Sequence, residues 1–183
     1  MKYILPFILL LFSCASVQQL DGGDKDTTPP QVQSVFPDSA SLNVKTKTIL
    51  FTFDEYISTT KTNDLLIISP SQKTNPTIES KGKKLIITLN DSLLPNTTYT
   101  IQFNGSIIDI NESNPLINYN YMFSTGSYLD SLSIQGLVKD IITNKPCDGC
   151  NVHLYKTIND SLVLTDKPDY LTKTKEDGTY TFM

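Results

Sequence analysis

The 183-residue sequence predicts an all-β protein, one two-sheet β-sandwich followed by a second, incomplete β-sandwich module. Three observations predict it. Apolar and polar residues alternate with a period of two along several short runs, and no long run carries the 3.6-residue apolar period of a helix. Ile, Thr, Tyr and Phe, which suit a half-buried pleated surface, are plentiful. Clusters rich in Pro, Asn, Asp, Ser and Gly interrupt the runs, as turns between strands require.

Composition sets the outer limits. With 39% hydrophobic and 19% charged residues the chain is ordinary globular material, long enough for one sizeable domain or two small ones. A formal charge of -4 without a basic stripe argues against nucleic acid as a partner.

The N-terminus poses a separate problem, because an apolar run from Ile4 to Phe12 stops at a cysteine in "LLFSCAS". The run follows the positive start Met1-Lys2 and is too short for a bilayer, which needs roughly 20 residues. It reads as a secretory signal. Leu11-Phe12-Ser13-Cys14 resembles the bacterial lipoprotein box, in which a small residue precedes the cysteine that is diacylated before the signal is cut. The resemblance implies that residues 1–13 are a signal peptide and that Cys14 becomes a lipidated mature N-terminus. Two acyl chains hold a membrane stably, since each buried CH2 contributes about 0.8 kcal/mol and one chain holds only marginally. The competing reading is an ordinary signal peptide with a chance cysteine.

Residues 14–28 are polar, Gly-containing and without periodicity, which makes them a flexible tether. Asp21, Asp24 and Asp26 lack the glycine and terminal glutamate of a calcium loop, so a solvated acidic linker is expected. Acidic residues soon after such a cysteine also resemble the surface-export signals of Bacteroidetes lipoproteins. The expected location is therefore the cell envelope, at the outer membrane, on its periplasmic or surface side.

Residues 29–126 carry the clearest alternation. Ile49, Phe51 and Phe53 point to one side and Leu50 and Thr52 to the other; Leu85, Ile87 and Leu89 repeat the pattern. Tyr99, Ile101 and Phe103 do so against Thr98, Thr100 and Gln102. The turn clusters "FPDSAS", "SPSQKTNP", "LNDSLLPNTT" and "NESNPL" separate these runs. Taken in order, "TTPPQVQSVFPDSASLNV", "TILFTFDEYI", "LLPNTTYTIQF", "IIDINESNPL" and "YMFST" resemble the bacterial Ig-like domain first described in S-layer proteins. That resemblance implies a two-sheet sandwich. One departure stands out: Glu112-Ser113 occupies the place where relatives usually have a glycine beside the asparagine.

Two carboxylate groups in this segment invite a chemical reading. Asp54-Glu55 could do acid–base work or bind a cation, but a solvated strand end accounts for it. Asp109, Asn111 and Glu112 could hold calcium, and ordinary Asp and Asn turn chemistry explains them equally.

Residues 127–183 show a different signature. "LSIQGLVKDIITNKPCDGCNVHLYK" joins a glycine-bearing strand, a loop around Pro146 and Gly149, and a strand with Val152 and Leu154 on one face. "KTKEDGTYTFM" adds an Asp-Gly turn before Tyr180 and Phe182. Together they resemble the prealbumin-like domains related to the carboxypeptidase regulatory module, in which further strands follow; the resemblance implies a partial domain whose last strands lack partners.

Cys147 and Cys150, in "CDGC", admit several readings. Redox chemistry would need a helix N-terminus to lower a thiol pKa, and zinc would need two more ligands, with His153 facing away from Cys150 in an extended strand. A local disulfide, or two free thiols, remains, the disulfide being allowed in an oxidising compartment.

Catalysis is not expected. The sequence has no Gly-rich phosphate loop, no His-x-x-x-His, no nucleophile elbow and a single histidine, and no cofactor is predicted. A recurring triplet resembles the Asp-Ser/Thr-x acceptor for O-glycosylation of exported Bacteroidetes proteins, which would place sugar on Thr27, Ser39, Ser92, Ser131 and Ser161. Local turn chemistry is the alternative. The expected function is a non-catalytic membrane-anchored lipoprotein whose Ig-like module serves as a structural or protein-interaction spacer. A glycan-binding lipoprotein of a polysaccharide-uptake system is the second reading, with Tyr119, Tyr121 and Tyr128 as platforms against a complete lack of Trp. A hydrolase whose catalytic part lies further along a longer chain is the third.

Overall fold

The alternation of "TILFTF" builds strand β2 (Thr48–Phe53), in which Ile49, Phe51 and Phe53 are fully buried and Thr48 is exposed. β2 pairs antiparallel with β1 (Val32–Phe36) on one side and β6 (Lys84–Thr88) on the other, and β6 pairs with β5 (Thr77–Lys81). A second sheet runs β4-β7-β9, from β4 (Ile67–Ser69), β7 (Thr98–Gln102) and β9 (Asn120–Ser124). Four strands ordered β1-β2-β6-β5 against three ordered β4-β7-β9 is the strand order of a constant-type immunoglobulin sandwich. A short ribbon of β3 (Ile57–Thr59) and β8 (Ile107–Asp109) extends from the ends of β2 and β7. This computed structural model describes residues 23–159 and 161–182, so Cys14 and the signal-like run lie outside the described residues.

Aromatic rings fill the space between the sheets. Phe51 meets Phe103 and Tyr121 edge-on, each at 5.2 Å between centroids, and Tyr99 stacks on Phe123 at 5.1 Å. Such pairs contribute about 0.5–1.5 kcal/mol each beyond their buried area. The two buried phenols find partners at the rim: Tyr99 Oη accepts the Leu94 N–H at 2.8 Å, and Tyr121 Oη donates to the Pro37 carbonyl at 3.0 Å. Burial pushes both phenols above their ordinary pKa, so they remain neutral hydrogen-bonding groups. The Tyr99 bond, five residues back along the chain at the start of β7, is a tyrosine corner.

The first strand is divided between the sheets. After β1 and Pro37 the chain crosses to the free edge of β9, where Ala40 N–H donates to Met122 O, Ser124 N–H to Ser41 O and Val44 N–H to Ser124 O. That parallel contact covers an edge that would otherwise be open.

The C-terminal strands form two ribbons, β10 (Ile134–Leu137) with β13 (Thr179–Phe182) and β11 (Asn151–Leu154) with β12 (Tyr170–Lys173). Gly136 lies directly opposite Tyr180, and a Cβ there would come within 2.6 Å of the ring, so the glycine makes room for the aromatic. The ribbons rest on the outer side of the β4-β7-β9 sheet. Asp130 N–H donates to Thr98 Oγ1 at 2.8 Å, Thr172 Oγ1 to Gln102 Oε1 at 3.3 Å, and Ser69 Oγ to Leu171 O at 3.2 Å. Alternation along β7 predicts Thr98, Thr100 and Gln102 on an open face; Thr100 is instead buried, together with its neighbours Ile67 and Ser69, because the ribbons cover them. Among the described residues, helix is confined to two single turns, α1 (Thr62–Leu65) and α2 (Leu162–Thr165). None of the described helices is long and apolar enough to cross a membrane.

Replacing Tyr99 by Phe keeps the stacked ring and removes the acceptor for Leu94 N–H. Chemical denaturation is expected to show a loss of about 1 kcal/mol. Phe51→Ala, which empties the centre of the ring cluster, is expected to cost about 3–5 kcal/mol in the same assay.

Candidate functional site

Two regions concentrate the polar chemistry, and the first is the loop after β8. Asp109 ends that strand almost fully buried, with Oδ1 accepting the N–H groups of Glu112 at 2.6 Å and Ser113 at 2.9 Å and Oδ2 accepting that of Asn114 at 2.8 Å. Burial acts to raise this carboxyl, but the three backbone donors outweigh it and hold it below its ordinary value. Ser113, where a glycine was expected, takes φ +64°, the left-handed conformation that glycine would supply. Ser113 thus supplies here the left-handed backbone for which glycine is the usual choice. Asp109 is turned inward as a loop-shaping residue, in line with the turn reading of Asp109, Asn111 and Glu112.

This loop also holds the incoming chain. Asn114 Nδ2 donates to Asp26 O at 3.1 Å and Thr28 O at 3.3 Å, and Asp54 Oδ1 accepts the Gln31 N–H at 2.8 Å. Asp54 and Glu55 are half-buried rather than freely solvated, as the strand-end reading had them, and Asp54 is paired with Gln31 through both its carboxylate and its N–H. Burial, followed by the charges of Asp109, Asp54, Asp26 and Glu112, raises the Glu55 carboxyl above its ordinary value.

The second region is the junction between the sandwich and the C-terminal ribbons. A cleft of about 320 Å³ opens there, lined by Thr98, Tyr128, Leu132, Lys156, Tyr170 and Phe182 among others. Lys156 Nζ lies 5.6 Å from the centre of the Tyr170 ring, and Asp169 Oδ2 accepts the Lys156 N–H at 2.9 Å. The lining offers stacking surfaces beside hydroxyl, ammonium and carboxylate groups, which suits binding. Of the three tyrosines read as sugar platforms, Tyr121 is fully buried and Tyr119 packs edge-on against Phe51 and Phe103. Neither can serve. Tyr128 alone is exposed, at 58%, and sits in the cleft with Tyr170, whose role no pattern in "KPDYLTK" announces.

The remaining sequence-predicted residues are scattered. Cys147 and Cys150 face each other across their turn with Cα atoms 5.9 Å apart, a separation a disulfide can span, and Thr174 closes the turn by donating to Cys147 O and accepting from Cys150 N–H. His153 is exposed on β11, away from that turn. Thr27, Ser39, Ser92, Ser131 and Ser161 are all on exposed residues, spread over both parts of the chain. Local turn bonds occupy two of the preceding aspartates, Asp26 accepting from Thr28 N–H and Asp130 from Leu132 N–H, while Asp91 accepts the N–H groups of the distant Lys73 and Thr74.

The loop geometry makes two expectations. Asp109 contributes stability that is fully present above the ordinary carboxylate value of 3.8 and is lost as pH falls through its lower folded value. Asp109→Asn should therefore lower the Tm at pH 7 and flatten the acid limb of the stability profile; an unchanged Tm would remove the loop-shaping role. Ser113→Gly should leave stability nearly unchanged, whereas Ser113→Val should cost about 1–2 kcal/mol, since a β-branched residue resists φ > 0.

Comparison with known proteins gives the family. Residues 26–125 match the family described as the bacterial Ig-like domain. Among solved structures, the methionine-rich copper resistance protein PcoC of Escherichia coli is similar at 18% identity, over 53% of this chain and 98% of that one, with a TM-score of 0.40. The N-terminal part of the bacterial S-layer protein SbsC is similar at 17% identity over 85% of this chain and 33% of its own, with a TM-score of 0.35. An L,D-transpeptidase from Mycobacterium smegmatis is similar at 12% identity over 81% and 74%, with a TM-score of 0.38. No curated protein matches the chain. Ig-like domains of this kind are structural or interaction modules of extracellular and cell-envelope proteins. With more than half of its length matched and the sandwich strand order in place, the chain belongs to the bacterial Ig-like domain family.

Proposed function

We propose that this protein is a non-catalytic lipoprotein of the bacterial cell envelope, of the Bacteroidetes type, held at the outer membrane by lipid on Cys14. Its Ig-like sandwich acts as a structural or protein-interaction spacer, and residues 127–183 form part of a module of the carboxypeptidase-regulatory, prealbumin-like kind. The observation that carries this reading is the polarity of the sandwich. The tether arrives at the Asp54 and Asn114 end, strapped there by Asn114, and the chain leaves at the other end of β9, where Asn43 N–H donates to Gly126 O at 2.8 Å. A strand of five or six residues spans about 17–20 Å, so the sandwich separates its two attachment points by roughly that length.

The junction cleft supports the second reading, a glycan-binding surface lipoprotein, through the exposed ring of Tyr128 beside Tyr170 and Lys156. Loss of glycan-array signal in Tyr128→Ala would favour it, and a wild-type protein without binders would end it.

The anchor is tested by expressing wild type and Cys14→Ala in a Gram-negative host and following membrane partition with intact mass. Wild type is expected in the membrane fraction with added acyl mass, and Cys14→Ala in the soluble fraction; equal partition of both would remove the anchor and the spacer role with it. In a native-type host the same mass spectra test O-glycosylation, which is expected to add sugar mass that falls when Ser39 and Ser92 are replaced by Ala.

A further inference from the structure

The loop between β4 and β5 presents three oxygens to one cation. Lys167, which precedes β12, donates from Nζ to Gln72 O at 3.1 Å, Lys73 O at 3.1 Å and Asn75 Oδ1 at 3.3 Å. An ammonium has three N–H donors and no acceptor, so three converging oxygens satisfy it completely. These oxygens are set by the sandwich itself. Asp91 accepts the N–H groups of Lys73 and Thr74, Asn90 Nδ2 donates to Asn75 O and Thr77 Oγ1, and Gln72 Nε2 donates to Pro70 O at 3.1 Å. The Thr74 and Lys73 hydrogen bonds also hold the Asp91 carboxyl below its ordinary value, which keeps it an acceptor.

We propose that residues 72–75 form a binding site for a primary ammonium group, and that Lys167 fills it as the latch holding the C-terminal ribbons on the sandwich. Next to the site the contact continues through the backbone: Ser71 N–H donates to Asp169 O at 2.9 Å, two residues along from Lys167. Beyond that, Ser69 Oγ bonds Leu171 O and Thr172 bonds Gln102, so the latch stands at one end of a line of cross-junction bonds along β12. A guanidinium is a planar fork and cannot aim three donors at one converging set of oxygens, which makes the site selective for lysine over arginine. The latch is independent of the membrane anchor and would operate in a soluble protein as well.

The test follows amide exchange by NMR in the full chain, wild type beside Lys167→Met and Lys167→Arg. The Ser71 amide crosses the junction and reports docking, while the Phe51 amide in central strand β2 reports folding of the sandwich. Lys167→Met is expected to speed Ser71 exchange about tenfold or more, equivalent to about 1.4 kcal/mol, and to leave Phe51 unchanged. Lys167→Arg should restore protection only in part. In Lys167→Ala, n-butylammonium should shift the Lys73 and Thr74 amide signals, and tetramethylammonium, which has no N–H, should not. Unchanged Ser71 exchange in Lys167→Met, full restoration by Arg, or an equal response to the two cations overturns the proposal.

Discussion

Phe51 fixes how the two sheets meet. It projects from the middle of β2, and its ring meets Phe103 and Tyr121, which belong to the β7 and β9 side, edge-on at the same 5.2 Å. Edge-to-face contact tolerates little sliding, because the ring edge must stay over a face to keep the favourable quadrupole alignment. Once that contact is set, Tyr99 can stack on Phe123 and carry its hydroxyl to the rim, where Leu94 closes the corner before β7.

The outer face of the β4-β7-β9 sheet depends on a different balance. Ile67 and Ile68 lie next to one another in β4, and both are buried, one against the ribbons and one in the core. A strand with a single solvated face would not carry adjacent isoleucines at that point. Thr100 is the matching position on β7, a polar residue that is covered without being part of the aromatic core. The face is thus mixed, apolar at its edge and hydroxyl-bearing at its centre, and the ribbons meet it with hydroxyls and carbonyls of their own.

Much of the sandwich was legible because its signal is local. The period of two in "TILFTF" and "KLIIT" reports side-chain direction directly, and those strands bury the residues that the alternation selects. What lay beyond reach was anything set by distant partners. Thr100 reads as solvent-facing until the ribbons are placed on it, and Tyr121 reads as an available aromatic until Phe51 is found against it. Ser113 was visible as a departure, yet its left-handed backbone depends on the Asp109 carboxylate four residues earlier gathering the loop amides. The Lys167 contact is least legible of all, since a lysine in "TDKPDY" and a loop more than ninety residues earlier share no pattern.

The two parts of the molecule differ in what holds them. The sandwich encloses complete aromatic and aliphatic side chains, while the junction rests largely on hydrogen bonds between side chains and backbone, with Ile67 and Phe182 as its main buried apolar residues. Net hydrogen-bond contributions run at about 1 kcal/mol each, whereas a fully buried large apolar side chain contributes about 1.5–3 kcal/mol. Local opening therefore starts at the junction and leaves the sandwich folded. In the proposed lipoprotein, tethered at the far end of the sandwich, that ordering has a mechanical consequence: load or a competing partner acts first on the ribbons and on the covered β4-β7-β9 face. The Ig-like core then serves as the fixed frame against which the C-terminal strands can be held or released.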